Sequence, residues 1–586
     1  MSPAGLELHG NTRRLRSRMR WLLPALALIA GSGERAVAQE PERAVALPPF
    51  IVEELAKGPP WRYAEAPGYE ILSRCNDATT RRVVEIHQQL HELLAEILPP
   101  SLRLKLSVPR ALILYDEELQ PAASQEVIHR MIRNTPEPVD DGGGLTLPGG
   151  RGLRIAAPQR RYSFLPNLRL WDRDAMAVFM IVRRDDFDAD RLSLTQDYIS
   201  FLVKRRVPSL PPWFVSGFLA LYQQTSYGGG ELSVEPLEWV SALHTAALKK
   251  DPKTAPPVQP LLEFLAAQLP ARDPAQTHDP IRAWQSQAAL FVRWGLEADR
   301  HAHREAFWKF VDRSAVLGPS EALFTECFGL DPAAARDLVA AYLPAAVRRT
   351  LHFRPARKAK LAPLVLRNAT DAHIARIKGD WERLEVPYVK GISEELAPKY
   401  LEQARRTLKR GYDRGERDPR LLAVMGLCEV DAGNDAGARE YLEAAAAIGP
   451  IRPRANLELA RLRLAEYRAG TGAAAASLNV NQLAEVLKPL FAARTEEPPL
   501  PEVYELIADA WSHAEPVPTR GHLAVLDEGV RLFPRRLSLV LSAAELNHQH
   551  GYREQAVAFA EIVARLADNE TMRDRAAKLQ EALGSK

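Results

Sequence analysis

Residues 419–450 read Pro419-Arg-Leu-Leu-Ala-Val-Met-Gly-Leu-Cys-Glu-Val-Asp-Ala-Gly-Asn-Asp-Ala-Gly-Ala-Arg-Glu-Tyr-Leu-Glu-Ala-Ala-Ala-Ala-Ile-Gly-Pro450. Two helical runs are punctuated by Gly433 and closed by Pro450. Small residues at Gly426 and Ala438 allow two antiparallel helices to approach closely, and Leu422 and Leu442 fill the space beside them. A further unit fits around Ala544, Gly551, Ala556 and Val563. Another, with a longer turn, ends in Leu526, Gly529 and Pro534, and half-units at Ala404 to Gly411 and Asn456 to Arg463 fill the gaps.

This spacing resembles the 34-residue tetratricopeptide repeat, with Leu422, Met425-Gly426, Gly433, Ala438, Leu442, Ala445 and Pro450 at its signature positions. The resemblance implies an all-α solenoid over residues 394–586. Such arrays bind as a rule rather than catalyse, so it also implies a protein or peptide partner.

Further upstream, Leu192 to Tyr222 reads LSLTQDYISFLVKRRVPSLPPWFVSGFLALY. Its second part, Leu210-Pro-Pro-Trp213-Phe-Val-Ser216-Gly217-Phe-Leu-Ala-Leu-Tyr222, resembles the L-P-x-W-x-x-E-G-x-A-x-Y segment of gluzincin metallopeptidases of the peptidase-MA-like group. In that family an H-E-x-x-H helix precedes it, and two His and the later Glu bind zinc. Here Gln196 stands for the first His, Asp197 for the general base, Ser200 for the second His and Ser216 for the Glu. Neutral amide and hydroxyl groups are poor zinc ligands, and without the metal there is no Lewis acid or activated water. The resemblance therefore implies the fold, no metal or other cofactor, and no catalytic residue, with Gln196, Asp197, Ser200 and Ser216 vestigial. Trp213 has two readings, stacking on a ligand in a cleft or packing in the core. The alternative reading keeps an enzyme: a hydrolase with a non-standard site in the same cleft and Asp197 as base.

The spacing predicts strands at 69–73, 111–115 and 177–182 and a helix from about Asp77 to Leu98, followed by a mostly helical stretch from about 192 to 347. The resulting fold class is α+β. A small mixed sheet and a helical zincin-like part precede the all-α solenoid. Gly- and Pro-rich residues between 136 and 150 punctuate a flexible insertion. The divisions are 39–190 and 191–350 for the two parts of the peptidase-like domain, a linker at 351–393, and the repeats at 394–586.

Residues 1–38 read as a secretory signal peptide. Five arginines between Arg13 and Arg20 precede an apolar run from Trp21 to Ile29 and then Ala36-Val37-Ala38. The run is shorter than the roughly 20 residues that span a membrane. The expected location is periplasmic or secreted, with no membrane span after removal. The whole chain carries a formal charge of +3, of which the leader's six Arg and two Glu account for +4, leaving 3 − 4 = −1. A nearly neutral mature chain gives no electrostatic footprint for nucleic acid. Cys75, Cys327 and Cys428 are too few for a disulfide scaffold and read as small core residues; one bridge would leave a thiol over. His87 and His91 are spaced for a metal, but no Glu follows the first and no third ligand is evident; His301 and His303 read as solvated.

Overall fold

Tyr69-Glu70-Ile71-Leu72-Ser73 is buried at every position and lies inside a sheet, where a strand covered on both faces needs no polar alternation. A computed structural model describes residues 59–99, 102, 107–116, 132–134, 162–164, 167–182, 195–228, 231–254, 256–267, 280–354, 361–391, 394–469, 477–567 and 570–584. The expected signal peptide and most of the Gly- and Pro-rich insertion lie outside these residues.

The order of strands in the main sheet is β11-β1-β2-β3-β7-β6, formed by Arg367–Asn368, Arg62–Ala66, Tyr69–Ser73, Arg110–Asp116, Met176–Val182 and Asn167–Trp171. Strands β2, β3 and β7 run parallel, with Ile71 opposite Leu112 and Leu112 opposite Val178; β1 and β6 are antiparallel. Strands β4 (Ile132–Asn134) and β5 (Tyr162–Phe164) pair apart from it. Helix α1, Asp77–Ile97, starts where the Asn76 side chain accepts from the Thr79 amide and covers one face through Val83 and Val84. These strands and this helix match the sequence expectation to within a residue or two.

The stretch after residue 192 is helical, but not throughout. Helices α2 (Thr195–Arg205) and α3 (Pro212–Gln223) are followed by a hairpin, β8 (Thr225–Gly228) and β9 (Glu231–Val234). Strand β10, Leu351–Phe353, adds to it. Next come α4 (Ala242–Lys250), α5 (Leu261–Ala266), α6 (Pro280–His301), α7 (Arg304–Leu317), α8 (Glu321–Phe328) and α9 (Pro332–Ala346). Their core is aromatic: Phe291, Phe307, Phe310 and Phe324 are fully buried together.

The largest departure falls in the expected linker. Residues 371–390 form α10, buried on three faces. Ile377, Trp381 and Leu384 pack on the sheet against Tyr63, Ile113 and Phe179. Arg376, Asp380 and Arg383 face a buried ionic cluster described below. Gly379 faces the next helix, α11 (Ala397–Asp413), so closely that an added Cβ would lie 2.5 Å from Leu408. Burying an aromatic such as Trp381 stabilises by about 1.5–3 kcal/mol, so this helix belongs to the fold. Strand β11, also in the expected linker, forms the edge of the main sheet.

Helix α10 is thus the first member of a stacked helix-pair array. The later pairs are α12 (Pro419–Asp431) with α13 (Asp435–Ile448), α14 (Pro453–Ala469) with α15 (Val480–Arg494), α16 (Pro501–Ser512) with α17 (Arg520–Leu532), and α18 (Leu537–Gln549) with α19 (Arg553–Leu566). Helix α20, Glu570–Gly584, packs on the last pair. Four of the five second helices repeat a buried triplet at i, i+4, i+7: Ala404-Leu408-Gly411, Ala438-Leu442-Ala445, Val486-Leu490-Ala493 and Ala556-Ala560-Val563. The short turns hold Gly433 (φ 73°) and Gly551 (φ 82°) in left-handed conformations that glycine adopts without steric cost. Tetratricopeptide-like helix pairs therefore make up the second half, and α10, from residue 371, packs against α11 in the same manner. None of the described helices is long and apolar enough to cross a membrane.

Gly217 on α3 tests the packing of the first half. An added Cβ would lie 2.4 Å from the Ala288 backbone of α6. Gly217→Ala should lower stability by about 1–3 kcal/mol in denaturant unfolding. Gly449→Ala, where the nearest atom to an added Cβ is 3.5 Å away, should stay within about 0.5 kcal/mol.

Candidate functional site

The sequence-derived positions lie on α2 and α3, which pack together through Ile199, Val203, Trp213 and Phe214. Gln196 and Asp197 fall in the first turn of α2, and their side chains are outside the described residues. Ser200 and Ser216 are each half-buried. Trp213 does not line a cleft. It is fully enclosed, with ring centroids 5.3 Å from Phe291 and 5.9 Å from Phe310. The core reading of this residue is the one the structure adopts, because Pro211 and Pro212 start α3 with its first turn aimed into the aromatic cluster.

The densest polar site is elsewhere, where the sheet meets the array. Arg383 of α10 directs each guanidinium nitrogen to a different carboxylate: Nη2 to Asp172 at 2.7 Å, Nε to Asp380 at 2.8 Å and Nη1 to Asp431 at 2.7 Å. Asp172 follows β6, and its Oδ2 also accepts from Arg454 at 2.6 Å and Arg452 at 3.3 Å. Asp174 is completely buried; it accepts from the Arg454 amide at 2.8 Å and pairs with Arg452. Four carboxylates and three guanidiniums are thus shared among the β6–β7 turn, α10, α12 and the start of α14. Burial pushes the Asp172 carboxyl up, but Arg383, Arg452 and Arg454 outweigh it and hold it well below the usual range. Asp380 is likewise lowered: burial raises it, and Arg383 and Arg452 prevail.

A second ionic group flanks the first. Arg376 of α10 makes a two-pronged contact with Glu70 of β2, at 2.7 and 2.8 Å, and Arg420 of α12 adds a bond at 3.1 Å. Tyr63 donates to Glu70 at 2.8 Å, and its ring stacks on His373 at 3.8 Å. Burial opposes ionisation of Glu70, but Arg376, Tyr63 and Arg420 keep its carboxyl below the usual range.

Between the two groups lies a cavity of about 300 Å³. Glu70, Arg376, Asp380, Arg420 and Arg452 form its polar walls, and Met176, Ile377, Val424 and Ile451 its apolar ones. It sits at the N-terminal ends of the parallel strands. The charges in its walls are spent on one another, so they hold the two halves in place rather than turn outward to a ligand.

Other contacts fix the halves further along the array. The Ser107 amide donates to the Glu497 carbonyl at 2.8 Å, and Arg535 reaches the Ser314 carbonyl at 3.4 Å. Cys75, Cys327 and Cys428 are free; burial pushes the Cys75 and Cys428 thiols up to about 12, which leaves them unreactive. His303 is not solvated but stacks on Trp294 at 4.4 Å, and His87 is buried against Tyr69. Sequence reasoning missed the whole ionic cluster. Its members are separated by as many as 282 positions, and charged residues on a helix ordinarily signal a solvated face.

No family model matches the chain. No curated protein matches it either. Among solved structures, that of a thermophilic tetratricopeptide-repeat protein from Thermus thermophilus matches at 16% identity and a TM-score of 0.24, covering 35% of this chain and 98% of its own. At that score the likeness carries no argument, and the repeats rest on the helix pairs described above.

Two outcomes follow from the cluster. Arg383→Met removes one guanidinium from three carboxylates, leaving Asp172 and Asp380 on Arg452 and Asp431 on Arg454, and should cost about 2–3 kcal/mol in urea unfolding. The lowered carboxyls contribute stability that is fully present above the unfolded value of about 4 and is lost as pH falls through the folded values. Thermal unfolding followed against pH should therefore show a steep loss of stability below about pH 4.

Proposed function

We propose that the protein is an exported, non-catalytic binding protein, in which a pseudopeptidase-like first half and the tetratricopeptide-like array form one platform for a protein or peptide partner. The observation that carries this reading is the array of stacked helix pairs, a scaffold suited to presenting an extended binding surface. The basic and apolar leader pattern of residues 1–38 supports export to the periplasm or beyond. The order of elements in the first half supports the peptidase-like part of the reading: a parallel-centred sheet with an antiparallel strand at β6, then two packed helices, α2 and α3. Ser200 and Ser216 offer only hydroxyls where that family places zinc ligands, which supports the absence of zinc chemistry.

The test has two arms on the intact chain. After dialysis against trace zinc, metal analysis should find almost none bound, and casein should not be hydrolysed. Combined Gln196→His, Asp197→Glu, Ser200→His and Ser216→Glu substitutions should then create zinc affinity. About one zinc per wild-type chain together with hydrolysis would overturn the non-catalytic reading. In the second arm, partner cross-links should fall on residues 371–584; cross-links confined to 195–350 would remove the array from the function.

A further inference from the structure

A cavity of about 740 Å³ opens at the corner between α6 and α7, beside the end of α9 and β10. That is a volume typical of small-molecule sites. Arg300, Arg304, Arg349 and Arg354 line it, against Glu297 and Asp299. Arg354 is paired with Glu231 of β9, so three guanidiniums stand over two carboxylates, and 3 − 2 gives +1 with the histidines neutral. Tyr342 also lines the cavity, and its enclosed hydroxyl has no hydrogen-bond partner among the described residues. An enclosed hydroxyl left without a partner is costly, and a ligand acceptor would satisfy it. Phe353 supplies a second ring to the wall.

The backbone at this corner is strained. Asp299, Arg300 and His301 have φ of 50°, 56° and 73°, three successive non-glycine residues in the left-handed region. Local contacts hold them there: His301 Nδ1 lies 2.9 Å from the Leu296 carbonyl, His303 Nε2 lies 3.3 Å from Asp299, and His303 stacks on Trp294. Backbone held in sparsely populated conformations clusters at ligand sites. Here it sets Arg300 on the rim of the cavity, while Arg304 is held by a bond from its Nε to the Leu296 carbonyl at 3.3 Å.

We propose that this corner binds a small organic anion, with a phosphate or carboxylate group held by Arg300, Arg304 and Arg349 and an aromatic or apolar body against Tyr342 and Phe353. The site is separate from the vestigial positions on α2 and α3 and does not depend on the binding role proposed above.

Two probes titrated into the full chain by calorimetry distinguish the head groups: phenyl phosphate and benzoate. The expected result is saturable one-to-one binding of at least one of them, and the one that binds assigns phosphate or carboxylate. Arg349→Gln should weaken it about tenfold or more. Arg300→Gly is the decisive variant, because it removes a guanidinium and at the same time relieves the left-handed strain. Its melting temperature should hold or rise while binding falls about tenfold or more. Failure of both probes to saturate, or binding that survives both substitutions unchanged, would overturn the proposal.

Discussion

One guanidinium fixes how the two halves of this protein meet. Arg383 is almost completely buried and bonds three carboxylates from three separate segments. Taking these charges out of water costs several kcal/mol per ion, and the mutual attraction offsets that only when the geometry is complete. The cluster is therefore weak as a source of net stability and strong as a selector of arrangement. A shift of α12 along α10 would part Asp431 from Arg383, and a shift of α14 would part Arg454 from Asp172. The apolar contacts of Ile377, Trp381 and Leu384 with the sheet tolerate small slides; the ionic cluster does not.

That constraint changes what the array can do. A solenoid of helix pairs ordinarily offers the face of its first helices to a partner. Here Arg376 of α10, Arg420 of α12 and Arg452 before α14 are already committed to the β2 strand and the β6–β7 turn, and Asp380 of α10 to Arg452. Ser107 and Ser314 take up positions further along, at Glu497 and Arg535. The first half of the chain thus occupies part of the surface that a free array would present. Helix α10 serves both sides at once, as a cover for the sheet and as the first helix of the array.

The legible parts of the sequence were those in which one physical rule acted alone. Residues 419–450 were readable because both turns are short and the crossing points are Gly426 and Ala438. The pair α14 and α15 repeats the same buried triplet, but ten residues separate its helices, which breaks the 34-residue period. Strands β2, β3 and β7 were readable as short apolar runs, whereas β11 is two residues long and owes its place to pairing with β1. Helix α10 was unreadable because it is buried on three faces, one of them ionic, so it shows no single apolar stripe. The cluster around Arg383 joins positions hundreds of residues apart, and no local pattern marks it.

The segment from Leu210 to Tyr222 is shaped by packing. Trp213 is required by the aromatic core, which it fills against Phe291 and Phe310. Gly217 is required because α3 crosses α6 with no room for a Cβ. Pro211 and Pro212 start the helix that carries both. Each of these residues has a packing reason that holds whether or not a metal ever sat nearby. Ser216 is different: it is half-exposed and none of these packing constraints falls on it. The Trp and Gly positions that carry the resemblance of this stretch are thus the ones that packing alone accounts for.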